Sequence, residues 1–161
     1  MEAVEPMTIR TESRITVDGG IEDVWGYLAD VRRWPEWAPT VIECRVRDGE
    51  RFEPGAWVEQ RARDFGWNHR RREQITEVDA PRSMGFAGTM GTSVARWGME
   101  FAPAGDRRTD AMMWVEVDPA KLMRAIPGRA LHDRIQRVSD IEMAGIKAAV
   151  ESDLRAGAGS P

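Results

Sequence analysis

The run from Leu131 to Leu154, LHDRIQRVSDIEMAGIKAAVESDL, decides the fold. It holds no proline, and at about 100° per residue Leu131, Ile135, Val138, Ile141, Gly145, Ile146, Ala149 and Val150 share one broad face. Arg137, Asp140, Lys147, Glu151 and Arg155 fall on the other. The pattern predicts an amphipathic helix of roughly six turns, too long for a connector. One residue, Glu142, interrupts the apolar arc. Most of what precedes this helix reads as strands, so its stripe must be buried against their sheet.

Moving outward, Thr8 to Val17 alternates Ile9, Thr11, Ser13, Ile15 and Val17 against Arg10, Glu12 and Arg14, as a half-buried strand does. Asp18-Gly19-Gly20 turns the chain, and Ile21 to Val31 carries Val24, Trp25, Leu28 and Val31 at helical spacing. The prolines of Trp34-Pro35-Glu36-Trp37-Ala38-Pro39 then allow only short helical pieces. From Val41 onward strands alternate with turn signals: Ile42 to Arg47, Ala56 to Phe65, Trp67 to Val78, Ser83 to Met90, Ser93 to Phe101 and Thr109 to Val117. Short strands at such spacing predict an antiparallel meander. Asp118 to Ala130, with Pro119, Pro127 and Gly128, leads into the final helix.

A chain of 161 residues with net charge -4 is expected to form one domain, residues 1–161, with an ordered core over 7–154 and a flexible tail over 155–161. It has no basic surplus to suggest nucleic acid. The single cysteine, Cys44, leaves no internal disulfide and fits a reducing cytoplasm. The first residues lack a signal-peptide pattern, and no apolar run approaches the ~20 residues of a membrane span.

The stretch Ile21-Glu22-Asp23-Val24-Trp25 through Trp34-Pro35-Glu36-Trp37-Ala38-Pro39 resembles the opening of the polyketide cyclase/dehydrase branch of the START-like (SRPBCC) superfamily. Ile75-Thr76-Glu77-Val78-Asp79-Ala80-Pro81-Arg82 is similar to that family's strand-to-turn element, and Gly145 to Glu151 to its helix ending. The resemblance spans about Thr8 to Leu154. It implies an α+β helix-grip fold, in which a curved seven-stranded antiparallel sheet wraps the C-terminal helix around a cavity for an apolar ligand, with two short helices between strands one and two. The strand and helix order read from the residues agrees.

Usual catalytic constellations are missing. His69 and His132 lie in no HExxH spacing, no metal or cofactor is expected, and no GxSxG elbow, P-loop or dinucleotide fingerprint is present. Cys44, among alternating apolar residues, reads as a small core side chain. What stands out is seven tryptophans and nine methionines. Met84, Phe86 and Met90 share one strand face, Trp97, Met99 and Phe101 another, and Met113 a third; all are expected to line a cavity or fill a core. Val138 joins them from the helix, and Trp34 and Trp37 either sit where a mouth or lid belongs or anchor their segment structurally. Met112 and Trp114, on the opposite strand face from Met113, read as exposed apolar residues suited to a homodimer contact.

Polar exceptions matter more. If Trp67 and Ile75 face inward, so do His69, Arg71 and Glu73; the other phase presents Asn68, Arg70, Arg72 and Gln74, and a strand exposed or bulged here makes the charges a solvated face. Gln60 shares an inward face with Val58 and Ala62. Glu142 on the apolar arc needs a cation partner, Arg71 or His69, or else lies at the helix edge. With Glu142, His69 and Arg71 as candidate catalytic groups, the expected activity is binding of a small hydrophobic or aromatic molecule, with cyclase-like acid–base chemistry in the same cavity as the alternative. A protein-interaction module is the third possibility.

Overall fold

The computed structural model describes residues 7–159, apart from Phe65, Gly91 and Leu122 and the side chains of Asp64 and Met90. Met90 as a ligand contact therefore lies outside the described residues. Strand β1 spans Ile9–Val17 and helix α1 spans Ile21–Ala29, followed by a 3₁₀ segment, Val31–Glu36. Six strands succeed them: β2 Val41–Val46, β3 Trp57–Asp64, β4 Trp67–Asp79, β5 Ser83–Met90, β6 Ser93–Pro103 and β7 Thr109–Asp118. Helix α2 closes the chain over Gly128–Ala158, so residues 155–158, expected as tail, are helical.

The strands form one antiparallel sheet in the order β1-β7-β6-β5-β4-β3-β2. Register shifts between Val41 and Glu43 and between Ile75 and Glu77 are bulges, which bend a strand and add twist. The result is the curved seven-stranded sheet of a helix-grip fold. Cross-strand pairs carry one face through Thr11, Val115, Trp97 and Phe86, and through Ser13, Met113, Met99 and Met84. That is the inner face, and Met84, Phe86, Met99 and Met113 have essentially no exposed surface.

Helix α2 packs chiefly on β1 and touches β7. It buries Leu131, Ile135, Ser139, Met143, Ile146 and Val150, each apolar side chain stabilising the fold by about 1.5–3 kcal/mol. Polar residues fix its rotation. Ser13 Oγ donates to Asp140 at 2.6 Å, Gln136 Nε2 to the Glu12 carbonyl at 2.8 Å, and Lys147 Nζ to the Thr16 carbonyl at 2.7 Å. Thus Asp140 and Lys147, read as a solvated face, tie the helix to the edge strand. The opposite flank looks across the inner face, and there Gly145 meets the Trp37 backbone so closely that a Cβ would collide with its carbonyl. This rotation corrects the expected stripe: Val138 and Ile141 are 48% and 51% exposed.

The outer face of the β1–β7–β6 side also departs from expectation. Met112 is buried and Trp114 half-buried. Gly98 makes room for the Trp114 ring, a Cβ there standing 2.7 Å from it, and the Arg10 guanidinium lies 5.4 Å from the ring centroid. Arg10 and Arg96 share Glu116 at 2.7 and 3.4 Å, and Arg96 reaches Asp118 at 3.0 Å. Of the apolar pair offered for dimer contact, Met112 is buried and Trp114 is partly covered by its own neighbours.

Candidate functional site

The pairing of β3 with β4 assembles a polar cluster on the inner face. Gln60 stands opposite Arg71, Val58 opposite Glu73, and Cys44 of β2 opposite Gln60. His69, Arg71 and Glu73 therefore share the face of the buried Val58, Gln60 and Ala62, the inward phase of the two open to this strand. Arg71 Nε donates to Gln60 Oε1 at 2.7 Å, and Gln60 Nε2 donates to Glu73 Oε2 at 3.2 Å. The Trp97 indole lies near the same carboxyl and favours its charged form. Gly88 lies across from Glu73, where a Cβ would come within 3.0 Å of the Glu73 Cγ, so glycine leaves the lane this side chain occupies.

Loss of hydration pushes the Glu73 carboxyl above the ordinary glutamate value, although the Arg71 charge, the nearby Trp97 indole and the bond from Gln60 pull it down. Burial likewise raises the Cys44 thiol, with Glu73 adding to the effect. A thiol held protonated is a poor nucleophile, which agrees with Cys44 as a core side chain.

An aromatic wall adjoins this cluster. Trp97 stacks on Phe86 at 4.4 Å, and Trp34 meets both edge-on, at 5.2 Å from Phe86 and 5.4 Å from Trp97. The Trp34 indole is anchored on the Leu28 carbonyl at 2.9 Å. Trp37 follows 5.7 Å from Trp34, and its buried indole nitrogen finds no hydrogen-bond partner among the described residues.

The other candidate residues divide sharply. Met84, Phe86, Met99, Phe101 and Met113 are packed into the core and present little or no free surface. Trp97, Arg71 and Glu73 keep part of theirs. His69 is exposed and continues the Arg71 face one step toward the β3–β4 turn, where Trp67 is 77% exposed. Glu142 is half-buried on α2, one turn before Gly145 and beside Val138, on the flank that looks across the inner face. Val138 and Glu142, both named from the sequence, lie on this flank, whereas the closeness of Trp97 to Glu73 was missed; Gly88, breaking an otherwise bulky strand face, is the signal that points to it.

The wide depression on the outer side, about 800 Å³ and edged by Arg14, Arg82, Glu100 and Asp110, lies away from these groups. Among the described residues no group of three or more His, Cys, Asp or Glu side chains is placed to hold a metal ion, and no helix is long and apolar enough to cross a membrane.

Comparison with known proteins places this geometry. The family model for polyketide cyclase / dehydrase and lipid transport matches residues 8–151. No curated protein matches the sequence. Among solved structures, the Zhui aromatase/cyclase from Streptomyces sp. R1128 superposes with a TM-score of 0.77 at 15% identity, over 96% of this chain and 100% of that one. The di-domain aromatase/cyclase StfQ from the steffimycin biosynthetic pathway gives 0.71 at 15% identity over 93% of this chain; the chain spans about half of StfQ, 52%. Ara h 8.0201 gives 0.66 at 14% identity, over 91% of this chain and 99% of that one. At such identities these structures establish likeness of fold.

Proposed function

Because the chain belongs to the polyketide cyclase / dehydrase and lipid transport family, we propose that it binds a small hydrophobic or aromatic molecule, lipid-like or polyketide-like, between the inner face of the sheet and the open flank of α2. The observation that carries this reading is the Arg71–Gln60–Glu73 cluster, a set of linked polar groups beside the aromatic wall of Trp97 and Phe86. Apolar pockets that hold small molecules are built this way, with a few placed polar groups fixing orientation. The ligand's flat or flexible body would lie along Trp97 and Val138, with an oxygen-bearing end at Arg71. Glu142 pairing with Arg71 or His69 would complete the polar end. A cytoplasmic location accompanies this reading, since the lone Cys44 needs no oxidising compartment.

One observation favours chemistry as well as binding: a guanidinium and a carboxyl kept above its ordinary range occupy the same cluster. Arg71 would draw charge onto a carbonyl oxygen of the ligand, and Glu142 or His69 would remove a proton from the carbon between two carbonyls. The enolate carbon then bonds to a distant carbonyl carbon, whose oxygen takes up a proton. Glu73 in its protonated form is a donor for that step. Loss of the resulting hydroxyl as water completes a cyclisation–dehydration.

A panel of fluorescent hydrophobic probes, displaced by lipids, flavonoids or aromatic polyketides, tests the binding. Arg71→Gln should weaken compounds bearing a carbonyl or phenol by about tenfold while leaving purely aliphatic ones alone, as expected for loss of one charge-assisted bond. Failure of every probe to bind the parent protein would refute the reading.

A further inference from the structure

The outer face of the β2–β3–β4 half carries a lattice of arginines that neither the fold nor the inner site uses. Alternation places Glu43 and Arg45 of β2 there, with Arg47 just beyond that strand, Glu59, Arg61 and Arg63 of β3, and Arg70 and Arg72 of β4. Six guanidinium groups thus share a face with two carboxylates, an excess of four positive charges in a chain of net charge -4. Arg45, Arg61, Arg63, Arg70 and Arg72 are exposed. The two carboxylates are already engaged: Glu59 contacts Arg47 at 2.9 Å and Arg45 at 3.9 Å, and Glu43 contacts Arg61 at 3.5 Å. A depression of about 560 Å³ runs over the lattice and also borders Gln60 and Arg71, whose side chains turn to the other face.

Folding alone does not account for this arrangement. Arg61 stands directly opposite Arg70 in the ladder, and like charges in that relation destabilise a sheet. Arg47 and Arg72 lie over the Trp57 ring, at 5.5 and 4.9 Å from its centroid. Stacking of that kind fixes a guanidinium plane and leaves its N–H edge available to an acceptor.

We propose that this face docks an acidic helix of a partner protein. Arginines two apart on a strand are spaced by about 6.8 Å and neighbouring strands by about 4.8 Å. Carboxylates three or four apart on a helix are spaced by about 5–6 Å, so a row of them comes within reach of successive arginines along or across the strands. Arginine forks bind carboxylates through paired bonds, which makes such a match specific. The lattice is also bounded. Three strands span about 10 Å, with Glu43 and Glu59 inside the patch and net negative charge beyond it. An extended phosphate array, whether duplex or bilayer surface, would reach past the patch onto the net negative charge beyond it; a short helix carrying a few carboxylates would not. The partner is thus held on the side of the sheet opposite the ligand, which leaves the inner site free.

The test uses a fluorescein-labelled, glutamate-rich helical peptide and measures anisotropy at low and moderate salt on the full chain. Parent protein should bind it with an affinity that falls as salt rises. Arg61→Gln/Arg70→Gln/Arg72→Gln should weaken binding by at least about tenfold, from loss of charge-assisted bonds. A control with the same charge change elsewhere, Arg14→Gln/Arg82→Gln/Arg108→Gln, should bind like the parent. Thermal melts of both variants should match the parent, since all six side chains are exposed. Equal weakening in the two triple variants would overturn the proposal, because net charge alone would then explain binding. It would also be overturned if phosphatidylserine vesicles or a DNA duplex bound more tightly than the peptide and lost that binding in the lattice variant. Hydrophobic-probe binding should be unchanged in the lattice variant, so the docking face and the ligand site can fail separately.

Discussion

The two halves of one sheet are finished differently. Over β1 and β7, helix α2 is pinned by Ser13, Gln136 and Lys147, and the space beneath is closed by side chains such as Met113, Met143 and Ile146 with almost no free surface. Over β4 and β3 the helix offers only its flank. There the inner face turns polar with Gln60, Arg71 and Glu73, while Val138 and Ile141 stay half exposed. The closed half specifies the fold, and the open half is where we propose that ligand enters. Charge is costly where packing is complete and tolerable where some water or a polar partner remains.

Trp34→Ala should produce the largest effect, a loss of about 3–5 kcal/mol in urea denaturation, because it removes the ring that joins α1, β5 and β6. Trp67→Ala, at the exposed end of the open half, should change stability by less than about 0.5 kcal/mol. If the two tryptophans cost the same, the division into closed and open halves is wrong.

Met99→Trp sharpens the contrast. Met99 is 1% exposed and packed between Met84 and Met113, so the larger ring overpacks the core and should cost about 1–3 kcal/mol. A stable variant that merely loses ligand would instead place the cavity among these methionines.

Glu142→Gln keeps size and hydrogen bonding on the open flank but removes charge. We expect ligand affinity or turnover to fall by about tenfold while the melt stays near that of the parent. Unchanged binding would remove Glu142 from the polar end of the site.

The smallest effect is a slope. Glu73 has its carboxyl raised in the folded state, so the native protein holds that proton longer than the unfolded chain does. Its contribution to stability is complete below the ordinary glutamate range and is lost as pH rises through the raised value. Glu73→Gln should flatten this decline when denaturation midpoints are titrated upward from that range. A decline of the same steepness in the variant would assign it to another group.

How much of this was legible in the sequence differs between the halves for the same physical reason. The period of Leu131 to Leu154 gave away the helix, and alternation gave away the strands, because burial against a neighbour imposes both. Rotation of α2 was not legible. Val138 and Ile141 are as apolar as Ile135, and only the bonds from Gln136 and Lys147 to β1 carbonyls decide which of them is covered. Likewise both phases of Trp67 to Ile75 are polar, and only the register with Gln60 selects Arg71 and Glu73. Met112 and Trp114 read as exposed because the room left by Gly98 and the cover given by Arg10 come from other strands.

The central claim is that ligand lies between β4 and the open flank of α2, and Val138→Trp tests it most directly. Val138 is 48% exposed, so the bulkier ring can be accommodated without disturbing the buried stripe of Leu131, Ile135 and Ile146. Displacement of a fluorescent apolar probe should show binding weakened by at least about tenfold, with a melting temperature within a few degrees of the parent, as for a surface substitution. Probe affinity equal to that of the parent in a folded Val138→Trp protein would contradict the account.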